Sequence, residues 1–120
     1  MPIRVAIVDD DALIRDSLKM ILELDPEMEV AGVSTNGDEA LELCRKTGVD
    51  VMLMDIRMPV CDGIMGTKKI KEAYPQIKVL ILTTFQDDEY IFQALKNGAD
   101  GYLLKNTPSL QIKEQIKLAH

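Results

Sequence analysis

A chain of 120 residues, 47% apolar and 28% charged, has the size and composition of one soluble globular domain. Its net charge of −6 repels a nucleic-acid backbone, so these residues are poor DNA binders on their own; no Trp and only two Phe and three Tyr leave little to stack a nucleobase or a flavin. No apolar stretch approaches a membrane span, the opening MPIRVAIVDD is not a secretory signal, and Cys44 and Cys61 lack metal-ligand spacing, which predicts reduced thiols in a cytoplasmic protein.

Taken in chain order, IRVAIV (3–8) predicts a first strand that ends in Asp9, Asp10 and Asp11. Ile14, Leu18, Ile21 and Leu22 then recur at the i, i+4, i+7, i+8 spacing of one helix face, and Pro26 closes that helix. MEVAGVS (28–34) predicts the second strand. Asn36 with Glu39 three residues on predicts a capping box opening the helix GDEALELCRK, with Gly48 as its C-terminal stop. VDVMLM (49–54) predicts a third strand that runs straight into Asp55. Pro59 restricts Met58 to an extended conformation, so no helix N-terminus stands ready to cap that carboxylate. A further helix closes at Pro75, IKVLIL (77–82) predicts the fourth strand, and Thr83 and Thr84 follow it. Ile91, Ala94 and Leu95 begin another helix face, GYLL (101–104) predicts the fifth strand, and Lys105 follows. Thr107-Pro108 predicts an N-cap with Pro at the first helical position of a last helix. Five strands alternating with five helices imply right-handed crossovers, a parallel sheet and helices on both faces.

In open parallel sheets of this kind, ligands bind beyond the carboxyl ends of the strands. Polar residues there are often only caps and turns, and that reading suits Asp11, Ser34, Thr35 and Thr107; for Thr84 the cap and the functional readings balance. Asp55 is different, because a buried strand delivers an acid with no local partner. If the first and third strands are neighbours, Asp9, Asp10 and Asp55 crowd one pocket. Two carboxylates ~4 Å apart repel by about 4 kcal/mol at an effective dielectric near 20, against a domain stability of roughly 5–15 kcal/mol. Lys105 supplies one counter-charge, and the remainder calls for a divalent cation. Oxygen ligands without His or Cys suit Mg²⁺, which commonly serves a phosphate or phosphoryl group. Asp55 is then the candidate nucleophile for an acyl phosphate, with Lys105 and Mg²⁺ neutralising the transferring oxygens and the Thr83 hydroxyl donating to one of them.

With these residues placed, VAIVDDD, DVMLMDIRMPVCDG, VLILTT and NGADGYLLK together resemble the receiver domain of two-component response regulators, across essentially all of residues 1–120. The resemblance implies a flavodoxin-like (βα)5 doubly wound sheet of strand order 2-1-3-4-5. It implies Asp9, Asp10 and the backbone carbonyl of Arg57 as Mg²⁺ ligands beside Asp55, the phosphoacceptor. Thr83 would be the switch hydroxyl, Lys105 the phosphate-pairing lysine and Tyr102 the aromatic that changes orientation. Arg57 and Phe85 occupy variable flanking positions that tune phosphoryl lifetime in the family. GADGYLLK without a following Pro is similar to the subfamily carrying a C-terminal LuxR-type helix-turn-helix. The implied partners are a sensor histidine kinase and a second copy on phosphorylation, with DNA reached only through an effector domain outside this chain. The implied location is the cytoplasm.

Three other readings use the same residues. A haloacid-dehalogenase-type phosphohydrolase needs a second acid two residues after its nucleophile, where this chain has Arg57, and a flavodoxin needs a Ser/Thr-rich phosphate loop after the first strand. A receiver-like interaction module that is never phosphorylated ranks second to the phosphoryl switch. Cys61 reads as a loop thiol and the Met-rich stretch 52–65 as adaptable packing; His120 is not expected to donate phosphate.

Overall fold

A computed structural model of the chain describes residues 2–84 and 88–120; Phe85, one of the two flanking positions, lies outside the described residues. The elements alternate strictly: β1 (Ile3–Val8), α1 (Ala12–Glu23), β2 (Met28–Ser34), α2 (Gly37–Lys46), β3 (Val51–Asp55), α3 (Gly63–Ala73), β4 (Lys78–Thr83), α4 (Asp88–Lys96), β5 (Gly101–Leu104) and α5 (Ser109–Ala119). The strands pair in the order β2-β1-β3-β4-β5, every pair parallel. This is the flavodoxin-like order.

The period of two along each strand divides the core into two layers. Val5, Ile7, Val51, Leu53, Leu80, Leu82 and Leu103 face Leu18 and Leu22 of α1 and Ile112 and Ile116 of α5. The alternate residues, Ala6, Val8, Met52, Met54, Val79 and Ile81, pack with Ala40 and Cys44 of α2, Ile70 of α3, and Ile91 and Ala94 of α4. β3 lies at the centre with all five residues buried, which is why its sequence is a continuous apolar run. Met52, Met54 and Met58 are packing residues, buried in the same layer. Among the described residues no helix is long and apolar enough to cross a membrane.

Strands β1, β2 and β5 coincide with their expected limits. β3 starts two residues later than expected and includes Asp55, which pairs with Leu82, while β4 is shifted by one and takes in Thr83. Both acid and hydroxyl are therefore held by the sheet and not by a loop. Asn36 caps α2 as expected, its side chain accepting from the Glu39 amide at 2.9 Å. Glu39 returns to the Thr35 amide at 2.8 Å, one residue earlier than a standard box.

Two helix-end expectations are corrected. Gly48 is not a left-handed stop: α2 ends on Thr47 in extended backbone (φ −146°). The left-handed glycine is Gly98 (φ 110°), after α4, where the Gly98 amide bonds the Leu95 carbonyl and the Ala99 amide the Ala94 carbonyl, a Schellman closure. Thr107 does not cap α5. Pro108, at ψ 146°, is the last extended residue, and its carbonyl accepts the Gln111 and Ile112 amides.

The loop after Asp55 is unusually tight. The Cys61 amide bonds the Pro59 carbonyl at 2.8 Å, closing a γ-turn around Val60 at φ 69°, a conformation a β-branched residue adopts only under strain. Asp62 then caps α3 by accepting from the Met65 amide. The Gly63 amide returns to the Ile56 carbonyl at 2.7 Å, and a Cβ on Gly63 would sit 2.2 Å from the Asp55 carbonyl oxygen. Gly63→Ala therefore collides with the backbone of the central strand. Its expected cost is at least the roughly 1–3 kcal/mol of an overpacked core, visible in thermal denaturation as a melting point lower by roughly 4–12 °C.

Candidate functional site

β1 and β3 are adjacent, with Val8 opposite Met54, so the acid after one strand meets the acid that ends the other. Asp9, Asp10 and Asp55 each offer a carboxylate oxygen within 4.8 Å of the others. Asp9 is fully buried, Asp55 nearly so at 4% exposure, and Asp10 faces solvent. Lys105 enters from the far side of β4. Its amide bonds the Thr83 carbonyl at 2.8 Å, and its side chain reaches Asp55 Oδ1 at 3.0 Å and Asp9 Oδ2 at 3.5 Å.

The expected residues thus divide clearly. Asp9, Asp10, Asp55 and Lys105 come together in one pocket. Thr83 ends β4, the strand beside β3, with its hydroxyl donating to the Thr84 carbonyl at 3.0 Å. Tyr102 is not brought into the pocket: it is half exposed and borders a hollow beside Gln115 and Leu118 of α5. Arg57 follows Asp55 by two residues, and its guanidinium carbon lies 4.7 Å from the centre of the Tyr90 ring. Asp11 is a plain helix cap, accepting from the Leu13 amide.

Arg15 was missed by sequence reasoning. From α1 its Nη1 donates to the Asp9 carbonyl at 2.8 Å; a charged residue six positions after Asp9 carries no local signal for that contact. Asp9 Oδ1 accepts from the Asp11 amide at 2.9 Å, which fixes the carboxylate plane. The other oxygen, Oδ2, is buried, with no hydrogen-bond donor among the described residues and the Lys105 ammonium 3.5 Å away.

Electrostatics follow from this packing. Burial, with the like charges of Asp9 and Asp10 adding to it, pushes Asp55 up to about 6 against the Lys105 hydrogen bond. Burial likewise raises Asp9 above the ordinary carboxylate value, the Asp11 amide and Lys105 opposing it. Burial pulls Lys105 down, but the hydrogen bond and charge of Asp55, with Asp9, outweigh it and hold the ammonium above its usual value. The lysine stays charged while two acids resist ionisation. Cys61 is a buried thiol raised mainly by burial, and Cys44 is raised by burial to about 11, so neither is an activated nucleophile.

A pH effect on stability follows. The folded value of Asp55 lies above its ordinary 3.8, so the folded state binds that proton more tightly than the unfolded chain. The stabilisation from this group is fully present below pH 3.8 and is lost as pH rises through about 6. Without divalent cation, Asp55→Asn is expected to be more stable than the parent at pH 7.5 by roughly 1–3 kcal/mol, with the difference vanishing near pH 4. Urea denaturation of both proteins in chelator across that range measures it.

An α/β sheet of this order, with acids from two adjacent strand ends, a lysine and a strand-end hydroxyl at one edge, defines a class of oxygen-rich carboxylate sites. The sequence matches the family "Response regulator receiver domain" over residues 5–117, and the chain belongs to that family. It is 42% identical over 118 residues to the transcriptional regulatory protein LnrK of Bacillus subtilis strain 168, covering 98% of this chain and 54% of LnrK. The fold matches the response regulator domain of Thermotoga maritima CheB with a TM-score of 0.90 at 32% identity, covering 99% of this chain and 96% of that one. It also matches a LuxR-family DNA-binding response regulator from Staphylococcus aureus with a TM-score of 0.90 at 27% identity, covering 98% of each chain. The chain spans about half the length of the curated relatives it matches. A receiver domain is a signalling module and not a turnover enzyme.

Proposed function

We propose that the domain is a phosphoryl-accepting switch with Asp55 as the acceptor. The observation that carries this reading is the Lys105 ammonium at 3.0 Å from Asp55 Oδ1, inside a pocket it shares with Asp9 and Asp10. An ionised oxygen of Asp55 attacks the phosphorus of the donor. The bond from phosphorus to the donor's leaving group breaks, and the electron pair departs with that group, as neutral imidazole from a phosphohistidine whose other ring nitrogen carries a proton, or as acetate from acetyl phosphate. An aspartyl phosphate, a mixed anhydride, remains. Lys105 stays protonated throughout and neutralises negative charge on the acid and on the incoming oxygens.

A metal fits the donor set. Three carboxylates outnumber the one lysine that reaches them, every donor is oxygen, and the buried Oδ2 of Asp9 has no hydrogen-bond donor among the described residues, only the Lys105 ammonium at 3.5 Å. Asp9, Asp10, Asp55 and the backbone carbonyl of Arg57 would hold Mg²⁺, which when bound supplies charge neutralisation for the acids and the phosphoryl oxygens.

After transfer, the Thr83 hydroxyl exchanges the Thr84 carbonyl for a phosphoryl oxygen, and Lys105 pairs with another. These contacts exist in only one arrangement of the end of β4 and of α4, so phosphorylation shifts a pre-existing equilibrium, with Tyr102 turning inward as β5 and α4 change. The donor is a sensor histidine kinase, the setting is cytoplasmic, and the output is transcriptional, through an effector domain outside residues 1–120 and with a second copy joining on phosphorylation. LnrK, called a transcriptional regulatory protein, supports the transcriptional output.

Intact-mass measurement after incubation with acetyl phosphate tests the reading. One phosphoryl group is expected with Mg²⁺ and none in chelator. No gain under saturating donor and Mg²⁺ would favour a receiver used purely as an interaction module.

A further inference from the structure

We propose that Arg15 is a positioning residue for the cation pocket: it locks the peptide between Asp9 and Asp10 and so sets where their two carboxylates stand relative to each other. This inference rests on the reading of Asp9, Asp10 and Asp55 as the Mg²⁺ site of the phosphoryl switch. β1 stops at Val8 and α1 starts at Ala12, so Asp9 and Asp10 both lie on the short connection between them. On one side that connection is held at Asp9, whose amide donates to the Ser34 carbonyl at 3.1 Å. On the other side Asp11 caps α1. Asp10 lies between these anchors, exposed and outside both elements.

Arg15 brackets it from both directions. The Arg15 amide donates to the Asp11 carbonyl at 3.1 Å, and its Nη1 reaches back to the Asp9 carbonyl at 2.8 Å. A peptide unit is planar, so a bond to the Asp9 carbonyl constrains together the last torsion of Asp9 and the first of Asp10. The side chain acts from a firm mount, because Leu18 and Leu22 of α1 are buried against the sheet. The guanidinium has two opposed effects on a dication. Its charge, close to the acids, repels the ion. Its bond to a backbone oxygen, charge-assisted and therefore strong, holds the ligands in place before the ion arrives. The second effect matters most for Mg²⁺, which demands near-octahedral geometry, and less for Ca²⁺, which tolerates displaced ligands. Arg15 thus favours Mg²⁺ in spite of its charge.

Amide chemical shifts of the whole chain, titrated with Mg²⁺ alone and with Ca²⁺ alone, test this. Arg15→Met keeps much of the apolar stem and loses the guanidinium; it is expected to bind Mg²⁺ about 10-fold more weakly than the parent, with a smaller loss for Ca²⁺. Arg15→Lys keeps the charge and a donor and is expected to recover part of the Mg²⁺ affinity. The same spectra report folding, and Arg15→Gln takes the place of Arg15→Met if that variant does not fold. Tighter binding of both ions by Arg15→Met is the result of removing a charge alone, and it overturns the proposal. Equal losses for the two ions, unchanged affinity, or no recovery in Arg15→Lys overturn it as well. In each of these cases the parent's own Mg²⁺ binding leaves the reading of the pocket standing. If the parent binds no Mg²⁺, both fall together.

Discussion

Asp55→Asn is expected to take up no phosphoryl group from acetyl phosphate and Mg²⁺ under conditions that fully load the parent. The substitution is nearly isosteric at a site only 4% exposed, so the amide fits where the carboxylate stood. It lacks the negative oxygen that the proposed mechanism needs to attack phosphorus, and neither acid beside it is placed to substitute. Asp9 has one oxygen on the Asp11 amide and its backbone held by Arg15; Asp10 is exposed and sits on the loop. The fold must survive for this loss to mean anything, and the electrostatics say it will. Asp55 is an acid that burial and its acidic neighbours resist ionising, so neutralising it relieves the metal-free pocket. Loss of phosphorylation together with unchanged or increased stability at pH 7.5 is a pairing that a merely structural aspartate would not produce.

Lys105→Met is the second large effect. Methionine keeps much of the aliphatic stem and removes the ammonium that touches both Asp55 at 3.0 Å and Asp9 at 3.5 Å. The rate of phosphorylation is expected to fall roughly 10²- to 10³-fold, the loss typical of a removed transition-state charge donor. Stability at pH 7.5 is expected to fall as well, by up to roughly 3–5 kcal/mol, because two buried acids lose their nearest cation. That second loss shrinks at pH 5, where Asp55 takes up a proton in place of its partner. Stopped-time mass measurements give the rate, and urea denaturation at the two pH values gives the stability. A phosphorylation rate within a few-fold of the parent would remove Lys105 from the chemistry.

Much of this site was legible because the sheet topology does the assembling. Asp9, Asp55 and Lys105 each follow or end an apolar run, and a parallel sheet brings all such positions to one edge. The order of the strands came from the family resemblance, since periodicity alone does not say which strand lies beside which. Strand limits failed where polarity misled: Asp55 reads as the residue after a strand, yet its backbone pairs with Leu82. Helix ends failed where two glycines looked alike. Gly48 follows a helix that ends in extended backbone, while Gly98 alone among the described glycines takes the left-handed turn. Thr107-Pro108 carries the right residue types for a cap, but the ψ of Pro108 keeps it outside the helix.

Contacts between side chains far apart in sequence left no trace in the pattern. The Arg15 bond to the Asp9 carbonyl and the Arg57–Tyr90 stack depend on how α1 and α4 pack beside the sheet edge. Tyr102 shows the opposite case. Its role was implied by resemblance, and its ring lies half exposed beside α5, apart from the pocket of acids. Gly63 was legible as part of a motif but not for its reason, which is the 2.2 Å approach of its absent Cβ to the Asp55 carbonyl.

The most direct measurement is chemical mapping of the phosphoryl group. Borohydride reduces an aspartyl phosphate to homoserine, and tandem mass spectrometry of the digested protein then locates that residue. After treatment with acetyl phosphate and Mg²⁺, homoserine is expected at position 55 and at no other aspartate. Homoserine at Asp9 or Asp10 instead, or a phosphoryl gain that leaves position 55 unreduced, would contradict the account.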